Sequence, residues 1–226
     1  MHEKIARALL AKVKADYNEI GASFSETRQG QWKEFESVKE FLGKNRGRDL
    51  GKVLDLGCGN GRLYDFLEKH FRNFQYAGVD CSSALIDEAR HAHRKTAFIE
   101  GDMLNISFQD NTFDTIFSIA SLHHIPSKNL RKKALREIHR VLKPDGRLIL
   151  MVWNLWQKRY AKHIVRSTVN FCTTFGKYDC FDLFIPWQHK IFRYYHAFTK
   201  HELHALLVQN GFCITKMEKG RNFTFF

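Results

Sequence analysis

The stretch Val53-Leu54-Asp55-Leu56-Gly57-Cys58-Gly59-Asn60-Gly61 decides the fold. A short apolar run ends in three glycines at alternate positions, and Arg62–His70 beyond them reads as a helix. Glycines at a strand-to-helix junction let the chain bend sharply and bring a ligand against peptide N–H groups at the helix N-terminus. Two nucleotide-binding devices share that plan, and both fail here. A dinucleotide fingerprint, G-x-G-x-x-G, would need glycine at the position of Arg62. The phosphate-cradling G-x-x-x-x-G-K-[ST] does not occur anywhere in the chain.

Working outward, strands and helices alternate. Residues 2–16 and 32–43 read as amphipathic helices, separated from the glycine turn by a loop over Gly43–Gly51 and a strand over Lys52–Leu56. After the turn come a strand at Phe74–Asp80, a helix at Ser83–His91 and strands at Ala97–Glu100 and Phe113–Ile119. A helix at Leu130–Val141 then leads through the turn Lys143-Pro144-Asp145-Gly146 into a strand at Arg147–Val152. Such alternation predicts an α/β fold, a mostly parallel sheet covered on both faces. Residues 154–190 lack clean periodicity and read as an insertion. A closing unit follows: strand Phe192–His196, helix Thr199–Asn210 stopped by Gly211, strand Phe212–Met217 and a short apolar tail.

The chain has 226 residues and a net charge of +12, an excess that suits a polyanionic partner. The surplus is uneven, because residues 151–226 hold 11 Lys/Arg against 4 Asp/Glu together with 17 of the 31 aromatic residues. Cations interleaved with aromatic faces suit phosphate contacts and base stacking, although core packing accounts for many aromatics equally well. No apolar run reaches the ~18 residues of a membrane span. The five scattered cysteines form no C-x-x-C pair, which argues against a disulfide framework or structural zinc and fits a reducing, cytoplasmic setting. The cationic stripe Lys4, Arg7, Lys12 and Lys14 beside Ile5, Leu9 and Val13 has the look of a transit helix, weakened by Glu3 and Asp16.

With the two nucleotide devices excluded, the glycine turn resembles the first motif of Rossmann-like class I methyltransferases, which bind S-adenosylmethionine. Further signals follow in order: Asp80 at the end of the second strand, Gly101-Asp102-Met103 after the third, Phe113–Ile119 as the fourth, and Leu142–Leu148 as the turn into the fifth. The resemblance implies a seven-stranded sheet with an insertion before the last strands. It also implies a cofactor site made by Asp55, Gly57, Cys58, Gly59, Gly61, Asp80, Asp102, Met103 and Ile119, without metal. Asp80 would take the ribose hydroxyls and Asp102 the adenine amino group. Cys58 reads as a small filler of the loop.

The flanks narrow the resemblance. Tyr17-Asn18-Glu19-Ile20 with Phe24-Ser25 and Thr27-Arg28, Ser118-Ile119-Ala120 with His123-His124, Ile185-Pro186-Trp187, and Arg193-Tyr194-Tyr195-His196 look like the tRNA wobble-uridine carboxymethyl methyltransferases. Those enzymes esterify 5-carboxymethyluridine, and only Gln188–Phe192 here replace the long insertion usual in the eukaryotic relatives. The resemblance implies one domain over 1–226: a helical extension over the cofactor (1–45), a cofactor-binding core (50–153), a substrate-side insertion (154–190), and closing strands and helix (191–226). Expected partners are the tRNA anticodon loop and a small zinc-binding activator subunit, with neither DNA nor membrane. No Asn/Asp-Pro-Pro-aromatic motif and no Pro-Cys nucleophile occur, so base-amine and base-C5 methylation are disfavoured. Tyr17 and Arg28 are expected over the cofactor, with Arg28 on the methionine carboxylate.

For the acceptor, Arg193 offers a planar fork for a carboxylate, with Trp187 nearby and one of the two adjacent histidines, taken as His123, facing the substrate. Strand alternation puts Arg193 with Tyr195 on one face and Tyr194 with His196 on the other; the first pair is taken as the pocket side. Two other functions compete: methylation of a small carboxylate or other metabolite, and a non-catalytic RNA-binding scaffold.

Overall fold

The computed structural model describes residues 1–28, 30, 32, 34–46, 49–175, 177–188 and 191–226. Positions 47 and 48 of the expected loop and 189 and 190 at the end of the expected insertion lie outside them. Seven strands form the main sheet in the order β3-β2-β1-β4-β5-β9-β8. They are β1 (Asp49–Leu56), β2 (Arg72–Asp80), β3 (Ala97–Glu100), β4 (Phe113–Ile119), β5 (Leu142–Trp153), β8 (Met217–Lys219) and β9 (Asn222–Phe225). The first five pair in parallel, and β9 is antiparallel to both β5 and β8.

Helices cover both faces because the central strands are apolar on both sides. On one face α5 (Lys128–Val141) and α7 (Lys200–Val208) pack Ala134, Leu135, Ile138, Leu203 and Leu206 against Leu54, Ile116 and Leu150. On the other, α2 (Phe35–Arg46) and α3 (Arg62–His70) pack Phe35, Val38, Leu63 and Phe66 against Val53, Phe117 and Ile149. Helix α4 (Ser83–Ala92) closes the β2–β3 side.

Three expectations change. The N-terminal helix α1 runs over Glu3–Glu26, ten residues past the expected end. Gly21 does not stop it, because its missing side chain lets α1 approach α4: a Cβ there would lie 2.9 Å from Ala84 Cβ. Asn18 fixes the same contact by accepting from Ser82 Oγ at 2.8 Å. Second, the expected strand at Phe192–His196 is present as β7 (Ile191–His196) but leaves the main sheet, pairing antiparallel with β6 (Asp182–Trp187) in a separate two-stranded sheet. Phe212–Lys216 is not a strand; the last sheet positions go to the β8–β9 hairpin, so the apolar tail is the strand that pairs with β5. Third, the aperiodic insertion contains α6 (Ala161–Thr173) as well as β6. Lys143–Gly146 is a bulge inside β5, across which the register to β4 shifts from Phe113↔Leu142 to Thr115↔Arg147. Among the described residues no helix is long and apolar enough to cross a membrane.

Candidate active site

The glycine turn sits at the carboxyl ends of β1 and β4, where chains of this topology form their crevice. Gly57, Gly59 and Gly61 have φ of +78°, +55° and +84°. Each glycine has its own reason. A Cβ on Gly57 would lie 2.3 Å from Ser121 Cβ, and one on Gly61 would lie 2.9 Å from the His93 ring. At Gly59 a Cβ would meet nothing within 4 Å, so that backbone is bare toward the cavity. The turn is tied down from both sides: Gly57 N–H and Cys58 N–H donate to Val79 O, and Ser121 Oγ donates to Leu56 O. Ser121 follows Ala120, whose φ of +54° marks a strained bend after β4.

A cavity of about 660 Å³ opens over this turn, within the range of small-molecule sites. Two carboxylates stand at successive strand ends. Asp80 accepts Gly59 N–H and Ser82 N–H, one on each oxygen at 2.9 Å, which fixes its orientation and leaves further lone pairs for a ligand. Burial pushes its carboxyl up, and the backbone donors pull it back. Asp102 is held by Leu104 N–H at 2.8 Å. Deeper, Asp55 is buried and accepts Tyr76 O–H at 2.7 Å; burial pushes its carboxyl up to about 7, against the pull of Tyr76. Burial likewise raises the Cys58 thiol well above its ordinary range, which fits a filler of the loop.

Of the residues expected around the cofactor, Tyr17, Arg28, Asp55, Gly57, Cys58, Gly59, Asp80, Asp102, Met103 and Ile119 line this cavity. Gly61 stands behind it as the left-handed cap of α3. The bare Gly59 backbone, the two strand-end carboxylates and the apolar walls fit an adenosine-bearing ligand. Arg62 and Trp32 also line the cavity, and neither was expected. Arg62 stacks on Trp32 at 4.7 Å, donates to Gly30 O and keeps a buried Nη1 without a partner among the described residues. Burial brings its guanidinium down to about 10. Its position directly after Gly61 was the available signal, since the first residue of that helix must face the ligand end.

Behind the cavity wall lies a buried cluster of side chains centred on Arg193. Arg193 is 4% exposed, with its guanidinium 4.6 Å from the Trp187 ring and 5.3 Å from the Tyr195 ring. It makes no ion pair among the described residues and donates only a long bond, 3.4 Å, to the Tyr17 hydroxyl. Tyr17 in turn donates to His124 Nε2 at 2.9 Å, because His124 Nδ1–H is spent on Tyr194 O at 2.8 Å. Burial, with Arg193 close by, takes the His124 ring down to about 3, so it is neutral and an acceptor. His124 lines the cavity; His123 does not. His123, in the 3-10 turn Leu122–His124, lies instead on the Arg193 side, where Nδ1 accepts Trp153 N–H and the ring packs on Tyr195.

Strand β7 keeps its two faces apart. Arg193 and Tyr195 look toward Tyr17 and Trp187, whereas Tyr194 and His196 both bond to Asp182 of β6, at 2.6 and 3.0 Å. His196 is further held by Glu202 at 2.9 Å. Arg193, Tyr195, His123 and Trp187 share one property: each carries a buried polar atom, Nε, OH, Nε2 and Nε1, without a hydrogen-bond partner among the described residues. Arg28, on Phe24 and Trp187, adds a second cation at the rim, its basicity lowered by burial and by Arg193.

The fold and the glycine turn define an α/β methyltransferase architecture, and comparison with known proteins agrees. A methyltransferase-domain family profile matches residues 53–146. The chain is 32% identical over 199 residues to an Encephalitozoon cuniculi protein named "Putative methyltransferase", covering 87% of this chain and 84% of that one. It is 29% identical to the Schizosaccharomyces pombe tRNA (carboxymethyluridine(34)-5-O)-methyltransferase, covering 86% of each. Against relatives from human and Arabidopsis thaliana it spans 31% of their length. A SAM-dependent methyltransferase from Methanosarcina mazei superposes with a TM-score of 0.69 at 24% identity, covering 82% of this chain and 94% of that one. The chain solved with the Trm112 methyltransferase activator of Haloferax volcanii gives 0.62 at 20% identity, covering 92% and 79%. The chain belongs to the S-adenosylmethionine-dependent methyltransferases.

Proposed function

We propose that this enzyme methylates a carboxylate, that of 5-carboxymethyluridine at the wobble position of tRNA. The observation that carries the reading is the buried cluster around Arg193, where a buried cation without an ion pair among the described residues adjoins three further polar groups without partners there. Buried polar groups are ordinarily paired, and a donor-rich enclosure poor in acceptors suits an anion. The named Schizosaccharomyces relative, similar along nearly its whole length, supports the uridine carboxylate as that anion.

S-adenosylmethionine, when bound, supplies an electrophilic methyl group on a sulfonium. Asp80, Asp102 and the Gly57–Gly59 backbone would hold its nucleoside, and Arg28 and Arg62 its carboxylate. Arg193 and the Tyr195 hydroxyl orient the acceptor carboxylate, which is already ionised near neutrality, so no side chain has to remove a proton. Neutral His124 accepts from Tyr17 and holds the phenol between the cavity and the Arg193 cluster. Catalysis on this account is positioning and exclusion of water. The relative solved with an activator subunit supports a protein partner of that kind. The burial of Arg193 behind Tyr17 favours one other reading, a small carboxylic acid as acceptor.

Arg193→Ala is expected to lower methyl transfer at least a hundredfold while cofactor affinity, measured by calorimetry, changes less than twofold. Retained transfer, or loss of transfer and cofactor binding together, would contradict this assignment.

A further inference from the structure

Outside the cavity and the Arg193 cluster, the segment that leaves β5 is strongly cationic. Between Asn154 and Tyr178 the chain has five Lys/Arg and no Asp or Glu. Lys158, Arg159, Lys162, Arg166 and Lys177 are all exposed, and none makes an ion pair among the described residues. Some exposed cations elsewhere find partners, such as Lys14 with Glu100 and Arg7 with Glu3, whereas Lys128, Lys133 and Arg136 of α5 make no ion pair among the described residues, so position rather than charge alone has to single out α6. Lys162 and Arg166 stand one turn apart on α6, about 6 Å along its axis. Their charges also depress the neighbouring His163, after the effect of its own burial. An uncompensated cluster of this kind costs self-repulsion unless an anionic surface meets it.

The opposite face of the helix sets its address. Tyr160 and Ile164 pack on Tyr195, Leu183 and Ile185, the same two-stranded sheet that carries Arg193. The cations are therefore displayed from the outer side of a segment whose inner side packs on the sheet that carries Arg193. Phe175, 98% exposed, extends the surface with an aromatic face.

We infer that α6 and the 3-10 turn before it (Lys158–Tyr160) form the docking surface for the phosphate backbone of the RNA whose nucleotide is bound at Arg193. The inference rests on the reading of the acceptor as an RNA nucleotide. Contacts here are to phosphates, so they supply affinity and register with little sequence preference. Each phosphate neutralised by a Lys or Arg releases counterions and steepens the salt dependence of binding by roughly 0.7–0.9.

The test compares two triple variants of the full chain, Lys158→Gln/Lys162→Gln/Arg166→Gln on this surface and Lys128→Gln/Lys133→Gln/Arg136→Gln on α5, which change net charge equally. Binding of a tRNA transcript is followed by anisotropy from low to moderate salt, with cofactor affinity and methyl transfer to carboxymethyluridine-bearing tRNA as parallel readouts. The α6 triple is expected to lose about tenfold in tRNA affinity and about 2–3 in the slope of log K against log salt. Its cofactor affinity and its transfer rate at saturating tRNA are expected to stay within twofold, and the α5 triple to bind like the wild type. Equal losses in both triples, or full affinity in the α6 triple, would overturn the surface while wild-type transfer to tRNA keeps the acceptor reading intact. Wild type that neither binds nor methylates tRNA, or that binds phosphatidylserine vesicles in its place, would overturn both.

Discussion

At the scale of single residues, the three glycines of one turn are not interchangeable. Gly57 is locked by its left-handed φ and by Ser121, whereas Gly59 has the same sign of φ but open space beyond it. Gly57→Ala is expected to destabilise the protein by several kcal/mol, the left-handed penalty of about 1–2 kcal/mol being the smaller part. Gly59→Ala is expected to cost about 1–2 kcal/mol of stability and to weaken cofactor binding disproportionately; thermal unfolding with and without cofactor separates the two. Asp55 makes a second residue-level claim. Its folded-state carboxyl stands at about 7, above the ordinary 3.8, so its contribution is intact below about pH 4 and is lost as pH rises through 7. His124, depressed to about 3, acts oppositely, losing stability as pH falls below 6.5. Asp55→Asn isolates the first effect: relative to the wild type it should gain on the order of 4 kcal/mol between pH 4 and 7 in urea unfolding. Parallel stability curves would contradict the assigned burial. The turn and its acids were legible because glycine, strand and carboxylate lie within one local stretch. The stacking of Arg62 on Trp32 was less so, since the two lie far apart in sequence, and the different surroundings of His123 and His124 are set by a 3-10 turn that periodicity does not reveal.

At the scale of elements, β7 and α1 decide how the cavity and the Arg193 cluster meet. The alternation Arg193/Tyr195 against Tyr194/His196 could be read from the strand period. What could not be read was Asp182, remote in sequence, which takes up Tyr194 and His196 and so accounts for the face turned away. The place of β7 outside the main sheet was hidden for a related reason: its partner β6 lies in an insertion without periodicity. Likewise the apolar tail gave too short a run to mark β9 as a strand. Helix α1 supplies Leu10, Lys14 and Tyr17 to the cavity and is seated through Gly21 against Ala84. Gly21→Leu is expected to lift α1 from α4, speeding trypsin cleavage after Lys12 and Lys14 several-fold and lowering cofactor affinity about tenfold, while the sheet still unfolds cooperatively. Unchanged cleavage would show that α1 does not depend on this contact.

At the scale of the whole molecule, the net charge of +12 is divided: a nearly balanced sheet carries a strongly cationic C-terminal third. That division suits an enzyme whose cofactor site lies at the sheet while its proposed acceptor is carried on a polyanion. Charge alone, however, does not distinguish a nucleotide carboxylate from a small acid, since both satisfy Arg193. The most direct test incubates the enzyme with methyl-labelled S-adenosylmethionine and tRNA bearing wobble 5-carboxymethyluridine. The account predicts label in the RNA as an ester that mild alkali releases, and none in tRNA lacking the carboxymethyl group. Label found only in small carboxylic acids, or in alkali-stable positions of the RNA, would contradict it.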